Sequence, residues 1–173
     1  MSVASIQLPT ERALQEFLQA PISDLPSPIY QLLCAHDVEL LPLEGNYVAI
    51  IAGPGNFEEL IDNATTRIEF RVATQVAEAG NRVDRTAQHQ AVVGAIQDLL
   101  SWQNFDDQLD EHGNVTCRGA LSTLNSQQTT ADGITIGVSG WEQIDSPADT
   151  HTDAQIISTL PYDFDVFIAA TEC

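Results

Sequence analysis

The chain contains no lysine. Its six basic residues are all arginine and stand against 25 acids, so the formal net charge is −19. Charged residues make up only 18% of the chain, below the usual ~25%. The acidity therefore comes from missing cations rather than surplus acids. That shortage argues against direct nucleic-acid binding, which needs clustered Lys or Arg to neutralise phosphates. Cysteine is also scarce. Cys34, Cys117 and Cys173 are odd in number and far apart. They offer neither a CxxC pair nor a disulfide framework, and reduced thiols in a cytosolic setting are the simplest reading. No window approaches the ~18 consecutive apolar residues of a membrane span. The opening MSVASIQLPTERALQEF lacks the charged start and apolar core of a signal peptide.

What is present is an ordinary globular complement. Apolar residues make up 43% of 173 residues, enough for one domain with a sizeable core. The charge is uneven. Residues 1–65 carry −8, residues 66–105 carry 0 and residues 106–173 carry −11. Four of the six arginines, Arg67, Arg71, Arg82 and Arg85, fall in the neutral centre.

Periodicity predicts the elements. Thr10 caps a first short helix with Ala13, Leu14, Phe17 and Leu18 on one face. Ser27 and Pro28 open a second, carrying Ile29, Leu32, Leu33 and His36. Val38–Leu43 and Tyr47–Ala52, separated by Glu44–Asn46, read as a β-hairpin. In Thr66–Val76, Ile68, Phe70, Val72, Thr74 and Val76 point one way and both arginines the other. A long helix follows at about 83–102, its stripe formed by His89, Val93, Ile96 and Leu100. Gly94 is unfavourable inside a helix, and close approach to the sheet is the expected reason for it. A long polar loop spans about 104–132, with room for a short strand near Val115–Leu121, and an acidic loop spans about 145–153. Strands near 134–141 and 160–168 close the pattern, with Pro161 expected at an edge or at the start of pairing. Together these predict a single α+β domain over residues 1–173. Its mostly antiparallel sheet has the long helix and the short N-terminal helices packed on one face.

No catalytic, cofactor or metal constellation emerges. GPGN (Gly53–Asn56) lacks the spacing of a phosphate loop, and no lysine exists to reach a phosphate. The histidines in HDVE, AQHQA, DEHGN and DTHTD have no metal-ligand spacing. Ser139 in GVSGW misses the nucleophile-elbow pattern by a residue. Cys34 and Cys117 lack electropositive surroundings in sequence. His89 reads as a core-edge residue satisfied by a polar neighbour. The arginines Arg67, Arg71, Arg82 and Arg85 have two readings. They pair with Glu69 and Asp84 within the chain, or they meet acidic faces of neighbouring subunits, a role that suits the planar guanidinium. On the second reading, exchanging Arg67 and Arg71 for Glu weakens assembly and leaves the monomer folded.

The order of elements, with TRIEFRVATQV, AQHQAVVGAIQDLL, GVSGWE and TLPYDFDVFIAA as its strand, helix, strand and final strand, resembles tail terminator or tail completion proteins of tailed bacteriophages. The resemblance spans most of the chain in order of elements and rests on no single motif. It implies a structural virion protein rather than an enzyme, assembled in the host cytoplasm and without membrane contact. It would form a homo-oligomeric ring, usually a hexamer, at the head-proximal end of the tail. The partners implied are the tail tube protein and the neck or connector proteins, with DNA passing through unbound. Another neck or tail component, such as a head-completion, stopper, minor tail or tube protein, is the alternative, ahead of a small cytosolic enzyme or ligand-binding domain. The acidity suits either a DNA conduit or a saline environment.

Overall fold

Two long strands, one from the middle of the chain and one from its last twenty residues, lie side by side and carry the fold. The computed structural model describes residues 10–12, 14–15, 18–19, 30–53, 63–76, 82–101, 108–117 and 135–169. In chain order the elements are β1 (Gln31–Cys34), a 3-10 turn (Ala35–Asp37), β2 (Tyr47–Ala52), β3 (Asn63–Gln75) and the helix α1 (Arg82–Leu99). They continue with β4 (Gln108–Leu109), β5 (Val115–Cys117), β6 (Thr135–Gln143), β7 (Ala148–His151) and β8 (Gln155–Ala169). Six strands form one sheet in the order β1-β2-β3-β8-β6, with β7 also paired to β8. Only β1 and β2 run parallel; the other neighbours are antiparallel. This is the expected α+β architecture with a mostly antiparallel sheet.

The alternating residues of β3 and β8 explain the layering. Thr66, Ile68, Phe70, Val72 and Thr74 sit opposite Phe164, Tyr162, Leu160, Ser158 and Ile156, all buried on one face. Val48, Ile50 and Ala52 of β2 extend that face. Val92, Ile96 and Leu100 of the α1 region cover it, together with Leu14 and Leu18 from helical residues near the N-terminus. Each such side chain contributes about 1.5–3 kcal/mol through burial. Phe70 meets Tyr162 edge-on at 5.6 Å, and Trp141 stacks on Phe164 at 5.5 Å. The Trp141 indole N–H also donates to the Leu100 carbonyl at 2.8 Å, satisfying a carbonyl left open at the helix end. The Glu11 carboxylate, fully buried, accepts from the backbone N–H groups of His36 and Ala52, both at 2.8 Å, and contacts His36 Nδ1 at 2.5 Å. It ties the N-terminal helical residues to the sheet.

Several expectations are corrected. The second helix is instead a strand and a 3-10 turn over 31–37; its start at residues 27–29 lies outside the described residues. Pairing with β2 there outweighs helical spacing, and Leu33 and Cys34 are buried on opposite sheet faces. The expected hairpin is absent, because residues 38–46 form no strand. They belong to the connection that two parallel neighbours require, typically about a dozen residues or more. Helix α1 stops at Leu99 rather than 102, and its buried stripe is His89, Val92, Ile96 and Leu100, with Val93 only half-buried. A Cβ built on Gly94 meets no atom within 4 Å, so close packing is not why glycine stands there. The acidic loop contains β7; the polar loop contains the short strand expected from Val115, as β5, paired with β4. Pro161 is neither at an edge strand nor at a strand start. It lies inside β8, but its carbonyl accepts from Ile144 N at 3.1 Å, on the side where β6 has ended and β7 has not begun. The missing N–H thus faces a gap in the ladder, where no donor is needed. The first-helix positions Ala13 and Phe17 fall outside the described residues.

Candidate functional site

On the helix-covered face a chain of hydrogen bonds crosses the core. Tyr30 Oη lies 2.6 Å from Thr74 Oγ1, which lies 2.8 Å from His89 Nδ1. His89 Nε2 lies 2.7 Å from Ser158 Oγ, and Ser158 donates to Asp149 Oδ1 at 2.5 Å. With Asp149 ionised, the proton order follows. The Ser158 hydroxyl is committed to the carboxylate, so His89 donates from Nε2 and accepts at Nδ1 from Thr74, to which Tyr30 donates. Burial pushes the His89 pKa down, opposed by Asp149 and reinforced by His151, which agrees with a neutral ring. Serine, histidine and aspartate are adjacent here in the wrong order for nucleophilic catalysis. The serine proton points away from the histidine, and Ser158 is buried. The arrangement satisfies polar groups inside the core. It supplies the polar neighbour expected for His89.

The opposite sheet face carries Arg67 and Arg71. Arg67 is exposed and pairs at 3.5 Å with Asp163, its cross-strand partner on β8, not with Glu69. Arg71 sits further along β3, half-buried. The Arg85 guanidinium donates to Gln88 at 3.2 Å and lies on the helix side of the sheet, near Tyr30. The sheet therefore separates Arg85 from Arg67 and Arg71. Arg82 begins α1, and its side chain is outside the described residues.

Arg71 opens into a cavity of about 370 Å³ on the outer face. Tyr47, Arg71 and Ile157 project from neighbouring strands as its floor, Leu41, Pro42 and Leu43 form one wall, and residues 152–155 form the other. Gln155 Nε2 donates to the Gly45 carbonyl at 3.0 Å, joining the two walls. Thr152 Oγ1 accepts from Gln155 N at 2.9 Å and holds the turn. Arg71 is within hydrogen-bonding reach of the Tyr47 phenol, whose pKa burial raises and Arg71 opposes.

The remaining sequence candidates separate. His36 meets Glu11, His112 lies 3.5 Å from Glu111 on the surface and His151 is exposed on β7. Among the described residues no three potential ligands converge on a metal position. Ser139 falls at a bulge inside β6, not on a strand-to-helix elbow. Cys34 is buried, and burial followed by the nearby Glu11 and Asp37 pushes its thiol up to about 11, the reverse of an activated nucleophile. Gly53 ends β2 with its N–H donating to the Arg67 carbonyl at 2.7 Å.

The cavity was beyond sequence reasoning because its walls lie about 110 residues apart. The polar chain left a signal. Thr74 and Ser158 are polar residues at core-facing positions of otherwise apolar alternation. Among the described residues, no helix is long and apolar enough to cross a membrane. No protein-family model matches the chain, and no curated protein matches it.

Proposed function

We propose that this chain is a structural virion protein of a tailed bacteriophage, a tail terminator that forms a ring, as a hexamer, at the head-proximal end of the tail and joins the tail tube to the neck. The observation that carries the reading is the display of uncovered apolar side chains on several separate surface segments. Leu109 and Val115 are 60% and 52% exposed on the β4–β5 hairpin, of which residues 108–116 are all solvent-facing. The hairpin is nonetheless rigidly built. Asp110 accepts from His112 N at 2.8 Å and Asn114 N at 2.9 Å, and Gly113 takes the positive φ of the turn. Leu40, Leu43 and Val83 are exposed elsewhere. A head-to-tail ring uses two different patches on each subunit, and dispersed apolar residues on ordered segments suit that need. Arg67 on one side of the sheet and Arg85 on the other are the accompanying contact charges. The acidic remainder repels DNA, so DNA passes without sticking.

Electron microscopy of the purified protein, alone and mixed with tail tubes, tests this. Single closed rings capping tube ends are expected. Leu109→Asp with Val115→Asp should abolish them without unfolding the monomer, because neither side chain is in the core. Protein that stays monomeric in both mixtures defeats the proposal, and long stacked tubes would instead mark a tube subunit.

A further inference from the structure

We propose that the cavity around Arg71 binds a carboxylate carried on an apolar group. Arg71 Nε is buried and has no hydrogen-bond partner. Among the described residues no carboxylate comes within 4.0 Å of its guanidinium, although the chain holds 25 acids and six arginines. The exposed Arg67 has found Asp163 on the neighbouring strand. A half-buried cation without a paired counter-charge costs free energy, and Asp153, which lines the same cavity, does not come within 4.0 Å of it. An anion from outside completes the site. The planar guanidinium matches a carboxylate, which takes two parallel hydrogen bonds from its N–H groups. The Tyr47 hydroxyl stands beside it as a further polar contact. Leu41, Leu43 and Ile157 supply apolar walls for the rest of the ligand. The volume, about 370 Å³, lies in the range of small-molecule sites, roughly 300–1,000 Å³. Asp153 also lines the cavity and opposes an anion, so it restrains affinity. This site does not depend on the ring proposal. Its ligand is either a free small carboxylate or the carboxylate end of a polypeptide.

The experiment is titration of the full chain with hexanoate, followed by calorimetry and by the NMR signal of the Arg71 Nε–H. Hexanoate should move that signal and bind at least about tenfold tighter than hexanol, because the charged pair contributes most of the selectivity. Arg71→Gln should weaken hexanoate about tenfold or more, while Arg71→Lys, which keeps charge but loses the fork, should fall between. Asp153→Asn should tighten it severalfold. Unchanged melting of each variant excludes unfolding as the cause. An acetylated hexapeptide ending in leucine carboxylate, compared with its amide, separates the sources. Tighter binding than hexanoate, lost in the amide, assigns a chain end; binding no tighter than hexanoate assigns a free small molecule. An unmoved Nε–H signal, equal binding of hexanol, or an Arg71→Gln variant that binds hexanoate normally overturns the proposal.

Discussion

The two faces of the central sheet are built from the same strands and solve opposite problems. On the helix-covered face, aromatic and branched side chains interlock, and Tyr30, Thr74, His89 and Ser158 are joined into one hydrogen-bonded chain ending at Asp149, while Thr66 Oγ1 is buried without a partner. On the outer face, a small apolar cluster around Leu33, Tyr47, Ala49 and Ala73 gives way to alternating charges and a cavity with an unpaired guanidinium atom. One residue of β3 faces the core and the next faces this surface, so a single strand carries both stability and the candidate binding chemistry. The lesson is that the core histidine is satisfied at both ring nitrogens, whereas the guanidinium beside the outer cavity keeps an unpaired N–H.

The largest expected effect tests where stability resides. Phe70→Ala removes a ring packed against Tyr162 and Phe164 and should cost about 3–5 kcal/mol in chemical denaturation. A loss below about 1 kcal/mol would mean the helix-covered face is not the principal core.

The next concerns the buried chain. The folded-state pKa of His89 is lowered, so below its ordinary value near ~6.5 the unfolded chain binds a proton that the folded one refuses. Its contribution is complete above that value and is lost as pH falls from there through the folded pKa. Stability should therefore drop over that interval, and His89→Gln should flatten the slope relative to the parent. Identical slopes in the two proteins would remove His89 from the account.

A smaller gain should come from α1. Gly94→Ala places a methyl group in open space and removes backbone freedom from the unfolded chain, raising stability by about 0.5–1 kcal/mol. A loss on thermal melting would show that the methyl group is not accommodated. The smallest effect belongs to the outer face. The Arg67–Asp163 pair is largely exposed, and a double-mutant cycle should return a coupling of about 0.2–1 kcal/mol that falls with salt. A larger, salt-insensitive coupling would erase the contrast between the faces.

How much was legible follows the same division. Strict alternation in β3 and β8 exposed both strands and their buried residues, because one side of each is continuously apolar. Helix α1 was legible to within a few residues at either end. β1 was misread because Ile29, Leu32, Leu33 and His36 fit a helical face; only pairing with Tyr47–Ile50 makes the segment a strand. β7 was hidden because its residues, ADTH, have no apolar alternation and are all exposed. Of the site, Arg71 was identified as an outward-facing arginine. Its separation from Arg85 by the sheet, and the walls that make its surroundings a cavity, arise from contacts between distant segments.

The position of β8 sets a schedule for building the molecule. This strand lies between β3 and β6, and its ladder with β3 runs from Asn63↔Phe167 to Gln75↔Gln155. The 79 residues between Gln75 and Gln155 must therefore be looped out before the central pairing can form, which makes folding slow compared with a helical protein of this size. During synthesis, Phe70 and Val72 remain uncovered on that side until residues 155–169 arrive, and β3 presents an open edge in the interval. Residues 1–154 already carry a net charge of −16, which keeps such unfinished chains apart while they wait.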